Sequence, residues 1–359
     1  MQSVDKLVVG KTPQQAIQLF GLMYALCGHA HQRAAVSAFE RALQVPASPS
    51  LEQLRAIAGS VEIIKEHALN LLLRLPSGEI TPALPPALMA AAQAFGKAVD
   101  SASLYAFPRS TLAVDQTAYA QALSALTVSL RSLLGDLFSI VEPSLGDINV
   151  WQRNATCIAA RYMQQLAQTH WAGFGRSNTL HLPLIAEDEL ETVLGRTDAD
   201  AFIAAPHWHG SPCETNAYTR QADHPLIREA VATHGNGLYA RSLARLLEIR
   251  LLYETLPQRV PSCGEWPVSA SASSGTALVQ VEASRGSLLH RAEVQDGLIS
   301  AYRIIAPTQW NFHPQGLITA ALTGQDARDE NLLRQRITAW VATLDPCVAF
   351  SVVMEHGVQ

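Results

Sequence analysis

The apolar residues repeat with a helical period along most of the chain and with a strand period in one stretch only. That single switch limits the fold more than any other feature. Spacings of i, i+3/i+4 and i+7 predict helices over 15–43, 50–75, 87–104, 111–140, 148–171, 226–256 and 328–344. Pro46 and Ser50 separate the first two, Pro76-Ser77-Gly78 closes the second, and Pro86 suits the first turn of the third. Gly235-Asn236-Gly237 interrupts the run over 226–256. Between 276 and 305 the period becomes two: Val279, Val281, Leu289, Val294 and Tyr302 lie in three short runs. Ser284-Arg285-Gly286 and Asp296-Gly297 stand between these runs as turns. A shorter strand-like piece, 179–185, lies in a stretch rich in Gly, Pro, His and Thr. No repeat, low-complexity tract or linker interrupts the pattern. The expected architecture is mainly α with a small antiparallel β element (α+β), in one domain over 1–359.

Two places carry candidate chemistry. Near the start, Tyr24, Cys27 and His31 share one face if 15–43 is a continuous helix. A thiol and an imidazole on one face suit a soft or borderline metal. Near the end stands Asp345-Pro346-Cys347. The remaining cysteines, Cys157, Cys213 and Cys263, are scattered, and five in all is an odd number. That is neither a disulfide framework nor a paired Cys-x-x-Cys zinc site, and it suits a reducing compartment. Cys157 and Cys263 read as structural. His29, Cys213, Glu355 and His356 are further potential ligands that read as surface or packing residues.

Composition narrows the function. A net charge of −5 lacks the basic face that counterion release on nucleic acid requires. Charged residues make up 16% and apolar residues 48%, a balance that suits a large core or apolar surface kept for partners. A signal pattern and an uninterrupted membrane-spanning run are both missing from the sequence, so a soluble cytoplasmic protein is expected.

Six segments, in order, resemble the large subunit of nickel–iron hydrogenases. Cys27 and His31, followed by Ala34, Ala35, Ala38 and Glu40, resemble the second half of that family's Cys-Gly-x-Cys-x-x-x-His motif and the helix after it. Glu66-His67-Ala68-Leu69-Asn70 is similar to its Asp-His-Leu-Leu-His, and the stretch from Pro212-Cys213-Glu214 to Arg220 to its Glu-Val-Gly-Pro-Leu-Ala-Arg. Glu282-Ala283-Ser284-Arg285-Gly286-Ser287-Leu288 resembles Glu-Ala-Pro-Arg-Gly-Ala-Leu, with Ser284 replacing Pro. Ala306-Pro307-Thr308-Gln309-Trp310-Asn311 resembles Val-Pro-Thr-Thr-Trp-Asn, and Asp345-Pro346-Cys347 the opening of Asp-Pro-Cys-x-x-Cys.

The departures from that pattern redirect the function. Tyr24 stands at the position of the first amino-terminal Cys, and Phe350 at that of the last. Neither a phenol nor a phenyl ring completes a tetrathiolate nickel site, so no nickel is expected. The sequence runs only to Gln359, and no cleavable carboxy-terminal extension is expected. The iron side survives. The resemblance implies that Arg285 and Thr308 donate to the two cyanides of an Fe(CN)2(CO) unit, with Pro307 in the wall that receives the carbon monoxide. Cys27 and Cys347 are the implied thiolate ligands, Cys347 by the weaker match, and His31 the implied neighbour that tunes a thiolate.

This half-stripped pattern resembles the HoxV/HupK group of hydrogenase accessory proteins. The resemblance implies a scaffold that holds the iron unit transiently and has no turnover of its own. It also implies partners: a small HypC-like hydrogenase chaperone, the maturation proteins that build the iron unit, and the hydrogenase large-subunit precursor. Neither nucleic acid nor membrane is expected as a partner. Two alternatives stay open at the level of residues, a metal-free structural paralogue and a divergent hydrogenase-type oxidoreductase.

Overall fold

The computed structural model describes residues 4–45, 47–74, 83–107, 112–154, 156–169, 171–261 and 274–355. Helices dominate, as the periodicity requires, and their breaks fall where capping groups sit. Helix α1 (Pro13–Met23) starts on Thr12, which forms a capping box with Gln15, and buries Ala16, Ile17 and Phe20. Helix α2 (Gly28–Ala42) buries Ala34, Ala35, Ala38 and Phe39, all without solvent exposure. Complete burial of a side chain such as Phe39 contributes about 1.5–3 kcal/mol.

The expected single helix over 15–43 is therefore two. Tyr24 (φ −107°, ψ 70°) and Cys27 (φ −137°, ψ 33°) both leave helical geometry. The cause lies far away in sequence. The Glu62 carboxylate, on helix α3 (Pro49–Arg74), accepts from the His29 and Ala30 amides at 2.9 and 3.1 Å. A helix start whose orphan amides are satisfied from outside begins a new helix there. Other expected helices split similarly. The 87–104 run gives α4 (Leu84–Ala98) and a short turn after Asp100, whose φ is +47°. The 111–140 run gives α5 (Gln116–Leu134), capped by Asp115, then a 3-10 turn. The 148–171 run gives α6 (Leu145–Asn154) and α7 (Ile158–Gln168).

Helices α8 (Pro225–His234) and α9 (Leu238–Glu254) flank the expected glycine break. Every residue of α9 from Leu238 to Arg250 is buried. Three of its four buried charges are held there by ion pairs: Arg241 with Glu214, Glu248 with Arg220 and His67, Arg250 with Glu254. Arg245 instead reaches Asn70 and the carbonyls of Ala342 and Thr343.

Strands β1 (Leu180–His181), β2 (His207–Trp208) and β3 (Ser211–Glu214) form a small sheet, β1 parallel and β2 antiparallel to β3. The antiparallel β element expected over 276–305 is a second, separate sheet. The three runs over 276–305 are β4 (Gly275–Ala283), β5 (Gly286–Gln295) and β6 (Leu298–Ile305), an antiparallel meander in that order. Helix α2 lies on this sheet, which brings the amino-terminal thiol to the β4–β5 turn. The fold closes with α10 (Pro307–Asn311) and α11 (Glu330–Leu344). The largest buried cluster draws side chains from Val8 to Leu344. Among the described residues, no helix is long and apolar enough to cross a membrane.

Candidate functional site

The chain brings Cys27 and Cys347 together from its two ends. Cys27 is buried at the start of α2, Cys347 is exposed just past α11, and their thiols are hydrogen-bonded to each other. As a coupled pair they share one easy proton and one tightly held proton. The hydrogen bond from Cys27 pulls the Cys347 thiol down to about 7; burial opposes the shift and the Arg285 guanidinium adds to it. The same bond, then burial and the charge of Cys347, pushes the Cys27 thiol far up. The α2 amides that ordinarily acidify a helix-start cysteine are occupied by Glu62.

Three side chains place Cys347. Helix α11 ends on Asp345 in the left-handed region (φ +53°), and Pro346 then carries the chain away. Arg285, in the β4–β5 turn, donates from Nε to the Asp345 carbonyl at 2.7 Å. Asn70 donates to the Asp345 carboxylate at 2.5 Å. Arg285 also donates to Ser284 Oγ at 3.1 Å and to Glu66 Oε2 at 3.3 Å. Its Nη2 lies 3.2 Å from Asp345 Oδ2, an ion-pair distance without hydrogen-bond geometry. Of the five N–H groups of a guanidinium, two remain uncommitted after these three hydrogen bonds. The turn is tight: Gly286 has φ +125°, and a Cβ there would sit 2.3 Å from the Thr215 carbonyl oxygen.

Tyr24 packs beside the thiols, and burial and the nearby Cys27 raise its phenol. Its ring stacks on His31 at 3.5 Å with 3° between the planes. His31 Nδ1 lies 3.0 Å from His290 Nε2, and His290 Nδ1 lies 2.7 Å from the Tyr302 hydroxyl. Burial lowers His31 to about 3 and His290 well below its ordinary value, so both rings are neutral.

Pro307 is buried at the first position of α10, and Thr308 follows half-buried. The same helix reaches the Arg285 turn through Asn311, which donates to the carbonyls of Thr215 at 2.7 Å and Arg285 at 3.1 Å. It also accepts from the Thr215 amide at 2.9 Å. Thus Cys27, Cys347 and Arg285 converge, His31 stands one helical turn beyond Cys27, and Pro307 and Thr308 join through Asn311. Tyr24 and Phe350, the two departures from the resembled cysteine pattern, are half-buried and packed on the main core.

Cys213 packs with Ile185, Leu289 and Trp310, Cys157 caps α7, and Glu355 is exposed. Cys263 and His356 lie outside the described residues. Sequence reasoning missed Glu62, His290 and Tyr302. Glu62 had a weak signal, standing one helical turn before Glu66 in an apolar run; His290 and Tyr302 had none. Among the described residues, no group of three or more His, Cys, Asp or Glu could hold a metal ion, so the chain offers a thiol pair.

A description of the nickel-dependent hydrogenase family matches residues 238–353. The chain is 30% identical over 363 residues to the hydrogenase expression/formation protein HupK of Rhizobium leguminosarum bv. viciae, covering 98% of this chain and 90% of that one. It is 28% identical over 370 residues to the hydrogenase expression/formation protein HoxV of Cupriavidus necator, covering 98% and 90%. Its fold matches that of the Ni-Fe-Se hydrogenase from D. vulgaris Hildenborough with a TM-score of 0.63 at 15% identity, over 96% of this chain and 91% of that chain.

Proposed function

Because this chain belongs to the HupK/HoxV family of hydrogenase expression/formation proteins, we propose that within hydrogenase maturation it is a scaffold for an Fe(CN)2(CO) unit. Cys27 and Cys347 receive the unit, and the protein passes it to the hydrogenase large-subunit precursor. The observation that carries this reading is the meeting of two thiols from opposite chain ends beside the buried Arg285. Thiolates are soft ligands suited to an iron carrying strong-field diatomics. Cys347 supplies its thiolate near neutral pH, while the Cys27 proton must leave for its sulfur to bind the iron, so loading releases protons. The two uncommitted N–H groups of Arg285 are donors of the kind a cyanide nitrogen accepts. Thr308, on the helix tied to that turn, is the second proposed donor, and Pro307 the apolar wall.

Two thiolates with no nickel to bridge hold the iron unit less tightly than a completed nickel–iron centre would, which suits release. Exposed apolar side chains flank both thiols: Leu22 (81%), Met23 and Leu26 on one side, Val348 (72%) on the other. Such a rim fits handover between proteins, here a HypC-like chaperone and the maturation proteins that deliver the unit, and the precursor that takes it. The reading involves no catalytic turnover and places the protein in the cytoplasm.

Infrared spectroscopy and metal analysis on anaerobically purified protein, from cells with the maturation machinery, test it. Cyanide and carbon monoxide bands with iron and without nickel, abolished by Cys27→Ala, are expected. Folded protein with neither bands nor iron overturns the reading, as does nickel accompanied by hydrogen oxidation.

A further inference from the structure

Behind the thiols, Tyr24 covers one face of His31, and the hydrogen-bonded row His31–His290–Tyr302 runs into the sheet. We propose that His290 and Tyr302 are positioning residues that lock His31 as the Nε2–H tautomer, leaving a fixed N–H donor for the iron unit or its thiolate. The inference rests on the scaffold reading for its purpose but not for its geometry.

The direction of the row follows from satisfying each hydrogen. All three groups are buried, and Tyr302 is walled by the rings of Phe20 and Phe39 at 5.2 and 5.8 Å. Its bond to His290 Nδ1 is the hydrogen bond the structure gives its hydroxyl among the described residues. If Tyr302 donates, His290 Nδ1 accepts and the His290 proton sits on Nε2. That proton then points at His31 Nδ1, which accepts in turn, so the His31 proton must sit on Nε2. If the row runs the other way, the Tyr302 hydrogen has no acceptor among the hydrogen bonds of the described residues, since its hydroxyl is bonded there to His290. A buried, unpaired donor is the costlier arrangement, whereas the first direction leaves only a spare hydroxyl lone pair.

Both rings are neutral, so neither nitrogen pair carries a second proton that would obscure the direction. Tyr24, stacked in parallel on His31, holds the ring plane. Side chains on a helix lean toward its start, which turns His31 back toward Cys27, one turn earlier. The sequence places Tyr24 where a metal thiolate stands in the hydrogenases that the chain resembles, so a ring that orients a donor has replaced a ligand.

Imidazole 15N spectra of the metal-free, full-length protein test this, with the His31 resonances assigned by their loss in His31→Gln. The expected result is a single Nε2–H tautomer that becomes mixed in Tyr302→Phe. A wild-type Nδ1–H tautomer overturns the proposal even if the variant does not fold, and so does a folded Tyr302→Phe with an unchanged single tautomer. In iron-loaded protein, Tyr302→Phe is expected to shift the cyanide bands while leaving iron content unchanged. If the tautomer is as stated but no bands form in the wild type, the scaffold reading has failed and this one stands.

Discussion

Replacing Cys27 by Ala removes the hydrogen bond that acidifies Cys347, and the structure sets the size of the effect. With its thiol at about 7 rather than the ordinary 9.0, Cys347 is half ionised at neutral pH. An unperturbed thiol is about 1% ionised there, so the thiolate population differs about 50-fold or more. The acidified thiolate is also a poorer nucleophile. A Brønsted slope of about 0.4–0.5 costs it about eightfold over the two units, leaving a net rate advantage of about sixfold. The pH midpoint is therefore the cleaner readout than the rate. Cys347 is exposed, so access does not limit its alkylation. Iodoacetamide labelling across pH, with each cysteine followed by peptide mass spectrometry, should give a Cys347 midpoint near 7 in the metal-free protein. Cys27→Ala should raise that midpoint to 9.0 or above, because burial, which raises the thiol, outweighs the Arg285 guanidinium that lowers it. Cys27 itself should label last, being buried and pushed upward. A wild-type midpoint near 9.0, or one that Cys27→Ala does not move, would refute the coupling.

Arg285→Leu strips the guanidinium from buried Glu66 and Asp345 and should cost about 3–5 kcal/mol in urea unfolding; a loss below about 1 kcal/mol contradicts this account of the Asp345 anchor. Asn311→Ala leaves the Thr215 amide and two carbonyls unpaired and should cost roughly 3 kcal/mol or more. Unchanged urea stability would mean that α10 is not tied to the Arg285 turn as described. Glu62 is raised to about 7, chiefly by burial, against two amide hydrogen bonds that lower it. A carboxyl raised on folding contributes stability that is complete below its ordinary value of 4.5 and declines as pH rises to about 7. Wild type should lose on the order of 3 kcal/mol relative to Glu62→Gln between pH 4.5 and 7.5, and parallel stability curves for the two would sink the assignment.

The sequence by itself determined a good deal. Helical and strand periods located α3, the α8–α9 break and all three strands of the meander, because each buries one face and local spacing records burial. Motif order singled out Cys27, Arg285, Thr308 and Cys347 as the proposed site, and Tyr24 and Phe350 as its departures from the resembled pattern. The tertiary structure alone decided how these pieces meet. The break between Tyr24 and Cys27 depends on a carboxylate from α3, which no spacing within 15–43 contains. Most of the Arg285 fork is spent on Asp345, Ser284 and Glu66, so much of its role is to hold the turn that bears Cys347. His31 looks like a lone ligand in sequence, but its partners arrive from β5 and β6, where His290 and Tyr302 fall at ordinary buried strand positions. Periodicity reports whether a side chain is buried. Which polar group it meets there is set by packing between distant segments, because each buried donor and acceptor must find a partner wherever the fold supplies one.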